Sequence, residues 1–277
     1  MRSLAERRVK LGATELHVRQ IGRAGKRDVV MLPSLGRGAC DFDDLAARVA
    51  SAGYRVILPE PRGIGASTGP LTGQTLHDFA ADIAAVIEQT ATAPVVLVGH
   101  AYGNRVARTV ASDHPALVDR LILIASGGIV PIKPEILEAM RGCMTLSLSR
   151  AERLGHLAKA FFAPGQDPRV WLVGWWPVVA AAQSAAVRAT NTEDWWEAGG
   201  KPIVVLQASD DAIAPRENAL DLKRRLGDRV QIVDIEDAGH AMLPEQPEQI
   251  ATAVLAALKW RNAATAPHAV NSGLDDH

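Results

Sequence analysis

One short turn and three ionisable side chains in this sequence have the types and positions that could do chemistry. The turn is Gly99-His100-Ala101-Tyr102-Gly103, which lies between an apolar run and a helix-forming stretch. Asp210 and Asp211 follow a later apolar run, and His240 follows the last one. A histidine that is oriented by a carboxylate can act as a general base. Alanine at the tip of the turn cannot attack a carbonyl group, so such a base would have to activate another nucleophile.

The spacing of the apolar runs predicts the elements that hold these residues. Six short runs rich in Val, Ile and Leu, most of them separated by helix-length amphipathic segments, are typical of strands covered on both faces of a parallel sheet. Two alternating runs at 8–11 and 15–20, joined by Gly12-Ala13-Thr14, predict an antiparallel hairpin at one edge. Thr75-Leu-His-Asp78 has the spacing of a capping box and predicts a helix after it. The predicted buried strands are Val29–Leu32, Arg55–Pro59, Val95–Gly99, Leu121–Ala125, Ile203–Gln207 and Val230–Ile235.

The turn at Ala101 resembles the nucleophile elbow of the α/β-hydrolase family, in which G-x-S-x-G joins a strand to a helix. Three further features are similar to that family: Leu32-Pro-Ser-Leu-Gly36 after the first buried strand, Glu60-Pro-Arg-Gly-Ile-Gly-Ala-Ser67 after the second, and the segments that carry Asp211 and His240. The chain order of tip residue, aspartate and histidine is also the family's order. The resemblance implies an α/β fold with a mostly parallel central sheet flanked by helices.

The resemblance also assigns roles to single residues. It places Ala101 at the position where the family has its attacking serine. The family's aspartate lies four residues before a proline such as Pro215, so the resemblance implies that Asp211 orients His240. Asp210 is then a solvated neighbour. Asp211 could instead cap the helix that Pro215 marks, which is the structural alternative for this residue.

By position in the same family, the backbone N–H groups of Leu35 and Tyr102 would form the oxyanion hole. This chain departs from the His-Gly that the family usually has before the loop of Leu35. His100 is expected to support the elbow and not to catalyse. Ser34 and Cys143 are conceivable substitute nucleophiles, although neither lies on an elbow.

A long connection interrupts the strand pattern after the sixth strand of the chain. About seventy residues there have helical pattern without a clear strand, and so long a connection usually has a function. We therefore predict a helical cap inserted into an α/β core. The predicted division is a core of residues 1–130 and 200–261, a cap of residues 131–199 and a flexible tail of residues 262–277.

The predicted cap contains most of the tryptophans of the chain. Bulky aromatic side chains are what a small cap needs for a core of its own, and we expect about half of them to serve that purpose. The others are expected to line an apolar pocket for the substrate. The candidates for this lining are Trp171, Trp175 and Trp176.

Composition and charge exclude several classes of function. Lys and Arg number 30 against 31 Asp and Glu, so neither nucleic acid nor an anionic membrane is an expected partner. The histidines lack metal-ligand spacing and no phosphate-binding glycine loop follows the first strand of the sheet, so we expect no metal, nucleotide or flavin. The absence of an apolar signal run after Met1, with only two distant cysteines, favours a cytoplasmic protein. A small-molecule substrate is the expected partner, and the sequence leaves the oligomeric state open.

Alanine at the elbow leaves three explanations open. In the first, His240 activates water while Asp211 fixes its tautomer, and the protein hydrolyses a small apolar ester, lactone, carbamate or amide-like compound without a covalent intermediate. In the second, a serine esterase or lactonase has been inactivated by alanine at position 101. In the third, the chain is a non-catalytic protein that binds a small ligand in the capped pocket. The retained Asp211 and His240 argue against the third, and alanine at this position in some carbamate or aminoacrylate hydrolases of the fold favours the first by analogy.

Overall fold

The structure, a computed structural model, describes residues 4–260 and has one eight-stranded sheet at its centre. Its strands are β1 (Leu4–Leu11), β2 (Thr14–Ile21), β3 (Val29–Leu32), β4 (Val56–Pro59), β5 (Val95–His100), β6 (Val118–Ile124), β7 (Ile203–Ala208) and β8 (Val230–Ile235). The spatial order is β1-β2-β4-β3-β5-β6-β7-β8. β1 pairs antiparallel with β2, β2 pairs antiparallel with β4, and the remaining pairs are parallel. The predicted fold class, a mostly parallel sheet flanked by helices, is confirmed.

The predicted strands all occur, and the largest errors in their bounds are at β1 and β6. β1 was predicted for residues 8–11 and begins at Leu4, and β6 was predicted as Leu121–Ala125 and is Val118–Ile124. Asp119 and Arg120 interrupt the apolar pattern of β6, with Arg120 paired to Val96 after a register shift, and they form an ion pair with each other at the strand's partly exposed start. Ala125 has a positive φ of 53° and therefore leaves the extended conformation.

Helices cover both faces of the sheet. α1 and α9 pack on one face, where Val49 and Val254 join a core cluster with Met31 and Val98. α2, α3 and α7 pack on the other, in a cluster that includes Phe79. Two buried faces explain why the central strands are almost entirely apolar. The helices are α1 (Asp43–Ser51), α2 (Leu76–Thr90), α3 (Tyr102–Asp113), α4 (Pro134–Met144), α5 (Arg150–Phe161), α6 (Pro177–Ala189), α7 (Glu217–Leu226), α8 (Met242–Glu245) and α9 (Pro247–Lys259).

The connection between β6 and β7 runs over the carboxyl ends of the strands. It contains α4, α5 and α6, and no strand lies between Ile124 and Ile203 in this described part of the chain. A third apolar cluster joins α4 and α5 to Ile213 and Ala241 of the loops after β7 and β8. These helices thus cover the edge of the sheet at which ligands bind in open α/β folds. The tail predicted for residues 262–277 lies outside the described residues.

Candidate active site

The elbow after β5 has the strained backbone that the glycine pattern predicts. Ala101 adopts φ 49° and ψ −106°, a conformation that costs a residue with a side chain about 1–3 kcal/mol. A Cβ on Gly99 would lie 2.5 Å from the Cα of Asn104, and one on Gly103 would lie 2.1 Å from the carbonyl oxygen of Leu32. Only glycine fits at these two positions. The tip residue is therefore held in the geometry of a nucleophile although its side chain is a methyl group.

The loops after β7 and β8 bring Asp211 and His240 together. Nδ1 of His240 donates toward both carboxylate oxygens of Asp211 at 2.9 Å, and both side chains are buried. Asp211 also accepts hydrogen bonds from the backbone N–H groups of Ile213 and Ala214, at 2.9 and 2.7 Å. Since α7 begins only at Glu217, Asp211 does not cap that helix.

The surroundings keep Asp211 ionised. Burial by itself raises the pKa of Asp211, but the charge and hydrogen bond of His240 and the two backbone N–H donors outweigh burial, so its pKa lies below the usual value. A charged carboxylate at Nδ1 fixes the tautomer of His240 with the proton on that atom. Nε2 of His240 is then the acceptor, and it has no hydrogen-bond partner among residues 4–260.

His100 supports His240 from behind. Its Nε2 lies 2.8 Å from the carbonyl oxygen of His240, which can only accept, so Nε2 carries the proton. Burial lowers the pKa of His100 to about 3, with a smaller contribution from the neighbouring His240. The ring is therefore neutral, and it positions the loop of His240 and takes no part in proton transfer.

Two buried side chains that the sequence did not single out also hold the site. Glu245 accepts hydrogen bonds from the N–H groups of Gly239 at 2.9 Å and Ala163 at 2.7 Å, so it ties the loop of His240 to the end of α5. Burial raises the pKa of Glu245 to about 7. The segment around Glu245 reads as an ordinary exposed helix start, and no sequence signal marks its burial.

Gln183 on α6 holds the loop after β3. Its Oε1 accepts a hydrogen bond of 2.8 Å from the N–H of Gly36, and the residue is fully buried. Gln183 lies beside Ser184 in the long uncharged stretch from Val170 to Val187, and a large polar side chain in so apolar a stretch is the signal that could have identified it.

A cavity of about 230 Å³ lies between the elbow and the helices above it. Ala101 and His240 line it together with Leu35 and Tyr102. The N–H of Leu35 and that of Tyr102, the first residue of α3, donate to no oxygen within residues 4–260. The remaining lining is mainly apolar: Ala125, Gly127, Gly128, Val130, Ile132, Leu137, Met140, Met144, Phe161, Trp175, Val187, Ile213 and Ala214. A larger open depression of about 770 Å³ lies between β8 and α9, away from these residues.

The tryptophans predicted to line the pocket occupy three different environments. Trp175 lines the cavity. Trp171 does not, because its ring is buried between the guanidinium of Arg37, 4.7 Å from the ring centroid, and Phe161. Trp176 does not either, because it precedes α6 with its side chain turned toward solvent, 41% exposed. The prediction was therefore wrong for Trp171 and Trp176.

The two conceivable substitute nucleophiles also differ. Cys143 is buried on α4, outside the cavity lining, where its Sγ donates to the carbonyl of Met140. Burial raises the pKa of the Cys143 thiol to about 12, so it is not a thiolate at neutral pH. Ser34 does line the cavity, beside Leu35.

Comparison with known proteins assigns the fold to a family. Residues 29–253 match the family described as "Alpha/beta hydrolase family", and the chain belongs to this family. It is 28% identical to a non-heme chloroperoxidase of Streptomyces lividans, over 80% of this chain and 87% of that protein. A stretch of 110 residues, 39% of this chain and 41% of the relative, is 36% identical to the "Putative carbamate hydrolase RutD" of Variovorax paradoxus. The mammalian proteins named ABHD8 are also relatives, and the chain spans about half of their length.

A solved structure agrees with the fold over nearly the whole chain. The esterase EaEST of Exiguobacterium antarcticum superposes with a TM-score of 0.79 at 22% identity, covering 92% of this chain and all of that one. Within residues 4–260, no group of three or more His, Cys, Asp or Glu side chains is placed to hold a metal ion. None of the helices in the same range is both long and apolar enough to cross a membrane.

Proposed function

We propose that this protein is a hydrolase that uses water directly as its nucleophile, activated by His240 and Asp211. The observation that carries the proposal is the buried pair itself, with Nδ1 of His240 held by Asp211 and the ring facing a cavity that also contains Ala101. The substrate is a small apolar ester, lactone, carbamate or amide-like compound. The cavity of about 230 Å³ supports a small substrate, because pockets for drug-sized ligands occupy roughly 300–1,000 Å³.

The chemistry needs one base and one oxyanion site. Nε2 of His240 removes a proton from a water molecule as that water attacks the acyl carbon, and Asp211 stabilises the resulting imidazolium. The negative charge that develops on the acyl oxygen is stabilised by the backbone N–H groups of Leu35 and Tyr102. The imidazolium then returns its proton to the leaving oxygen or nitrogen, which gives an acid and an alcohol or amine. Ala101 leaves the space of a serine hydroxyl open for the attacking water.

The energetic demand on such a site is moderate. A serine protease that has lost its triad still accelerates hydrolysis on the order of a thousandfold over water, through binding and its oxyanion hole. A site that keeps the base and its carboxylate is expected to accelerate hydrolysis further. The names of the relatives, an esterase and a carbamate hydrolase among them, support the same class of substrate.

The test compares three forms of the protein: the unaltered chain, His240→Ala, and Ala101→Ser. Each form is assayed against activated esters, lactones and carbamates and treated with a fluorophosphonate. We expect the unaltered chain to turn over at least one substrate and His240→Ala to lose that activity. Activity and fluorophosphonate labelling only in Ala101→Ser would mean that the site was built for serine. Tight binding of a small ligand with no turnover in any form would mean a binding protein.

A further inference from the structure

The charged side chains that line the cavity are both cationic. They are Arg105 and Arg188, and no Asp or Glu belongs to the lining in residues 4–260. Asp211 lies behind His240, and its carboxylate accepts the hydrogen bond from Nδ1 of that histidine. Apart from its apolar surface, the cavity therefore offers cations and hydrogen-bond donors without a carboxylate to neutralise them.

Arg105 lies next to the reaction centre. It follows Ala101 by four residues, so its side chain leaves α3 on the same face, one turn from the elbow tip. The guanidinium forms no hydrogen bond or ion pair with residues 4–260, and its one recorded contact is with the ring of Trp195, 5.5 Å away. Burial lowers the pKa of Arg105, since no anion compensates for the lost hydration.

Two buried arginines of this protein each have a carboxylate partner, which Arg105 lacks. Arg62 binds Asp82 through both Nε and Nη2. Arg37 binds Asp41 in the same way, at 2.8 and 2.6 Å. A cation that is withdrawn from water normally requires such a partner, because the loss of hydration is otherwise uncompensated. Arg105, which is half-buried at the cavity, has no such partner within residues 4–260.

Arg108, one turn further along α3, adds a second uncompensated charge. It is fully buried between the rings of Trp195 and Trp196, and its hydrogen bonds go to two neutral acceptors, the side chain of Asn104 and the carbonyl of Gly127. Its Nε and Nη1 have no partner. Burial and the charge of Arg105 lower the pKa of Arg108. The positive charge of Arg108 therefore adds to the positive potential at Arg105.

A further arginine of the cavity can assist in binding an anion. Arg188 follows Ser184 by one turn of α6, and both line the cavity while the Arg188 side chain is exposed. Arg188 forms no ion pair within residues 4–260.

We propose that the substrate carries a carboxylate, which Arg105 binds while the group to be hydrolysed lies at Ala101 and His240. Arg188, whose side chain is exposed, contributes from the lining of the same cavity. A carboxylate matches the planar fork of a guanidinium, and its small size suits a cavity whose remaining lining is apolar. This inference rests on the proposed function, because it names the substrate class for the same site. The substrates would be esters, lactones, carbamates or amides of small molecules that bear a second, free acid.

The test measures binding, so it does not depend on turnover. Calorimetry with the full chain compares phenylacetate with phenylacetamide, butyrate with butyramide, and phenyl phosphate as the alternative anion. We expect at least one carboxylate to bind about tenfold or more tightly than its amide, and Arg105→Gln to remove this preference, since a hydrogen bond to a charged group is lost. Arg188→Gln should reduce it less. Arg141→Gln, which changes an exposed arginine of α4 outside the cavity, is the matched control and should retain the full preference.

Thermal unfolding of the same variants separates a binding role from a structural one. Removal of an uncompensated charge beside Arg108 should leave the Tm of Arg105→Gln unchanged or raise it, whereas a structural arginine would lower the Tm on removal. Carboxylates that bind no better than their amides, or a preference that survives Arg105→Gln, would overturn the proposal. Tighter binding of phenyl phosphate would overturn the choice of carboxylate. Binding of a carboxylate through Arg105 without any turnover would instead contradict the proposed hydrolase function. Hydrolysis of neutral esters without a preference for carboxylates would support the hydrolase function and contradict the proposed substrate class.

Discussion

Two groups of residues at the cavity, called here its acid–base end and its cationic end, differ in whether their charges have partners. At the acid–base end, formed by Ala101, Asp211 and His240, the carboxylate is satisfied by His240 and two backbone N–H groups before any ligand arrives. At the cationic end, formed by Arg105 and Arg188, the charges have no protein partner within residues 4–260. This difference is what we expect if the first group carries out the proposed reaction and the second binds the proposed carboxylate.

The same contrast explains what alanine at the elbow changes. The acid–base end keeps its strained turn, its oriented histidine and its free N–H groups, so only the covalent route is closed. Alterations at this end should therefore affect every substrate, and alterations at the cationic end should affect the choice between substrates.

Asp211→Asn should have the largest effect. The amide group of asparagine can donate to Nδ1 of His240, which moves the ring proton to Nε2 and removes the acceptor for the water's proton. We expect kcat/KM to fall on the order of a thousandfold for neutral and carboxylate-bearing esters alike. Circular dichroism and Tm would show that the variant is folded. A decrease for only one class of ester would contradict the division between the two ends.

Arg105→Gln should change selectivity. We expect the ratio of kcat/KM for a half-ester of a dicarboxylic acid to that for the corresponding neutral ester to fall about tenfold or more, as expected when a charged hydrogen bond is lost. Arg141→Gln should leave the ratio as it is in the unaltered chain. An equal decrease in both rates would place Arg105 in the reaction machinery and not in substrate choice.

Glu245→Gln should change the pH dependence of stability. The pKa of Glu245 is raised to about 7, above its ordinary 4.5, so the folded state binds this proton more tightly than the unfolded state. The resulting stabilisation is complete below about pH 4.5 and is lost as the pH rises through about 7. From pH 5 to pH 8, the Tm of the unaltered chain should therefore fall relative to that of Glu245→Gln. A constant difference over this range would contradict the burial of the carboxyl group.

Ser34→Ala should have the smallest effect. Ser34 lines the cavity with a hydroxyl group, but water is the proposed nucleophile, so we expect kcat/KM to change less than about fivefold. Loss of activity comparable to that of Asp211→Asn would identify Ser34 as a substitute nucleophile.

The sequence predicted the fold and the proximity of Ala101, Asp211 and His240, because their signals are local. Apolar runs mark buried strands, and a loop residue directly after a parallel strand reaches the same edge as the other carboxyl ends. Ala101, Asp211 and His240 each follow such a strand, and the structure brings them together.

The sequence did not predict the cationic end, because its character depends on the absence of a carboxylate close to the two arginines in the folded chain. Arg105 and Arg188 read as ordinary helix residues, and only the folded chain reveals that no carboxylate approaches them. The wrong assignment of Trp171 and Trp176 has a similar cause. Aromatic residues five apart in a chain can face a cavity, a core or solvent, and composition does not distinguish among these.

The central claim, direct attack by water, is tested most directly by intact-protein mass spectrometry during steady turnover of an activated ester. We expect product release that is linear with time from the first turnover, no increase in protein mass from an acyl group, and loss of this turnover in His240→Ala. A burst of product accompanied by an acylated protein would contradict direct attack by water.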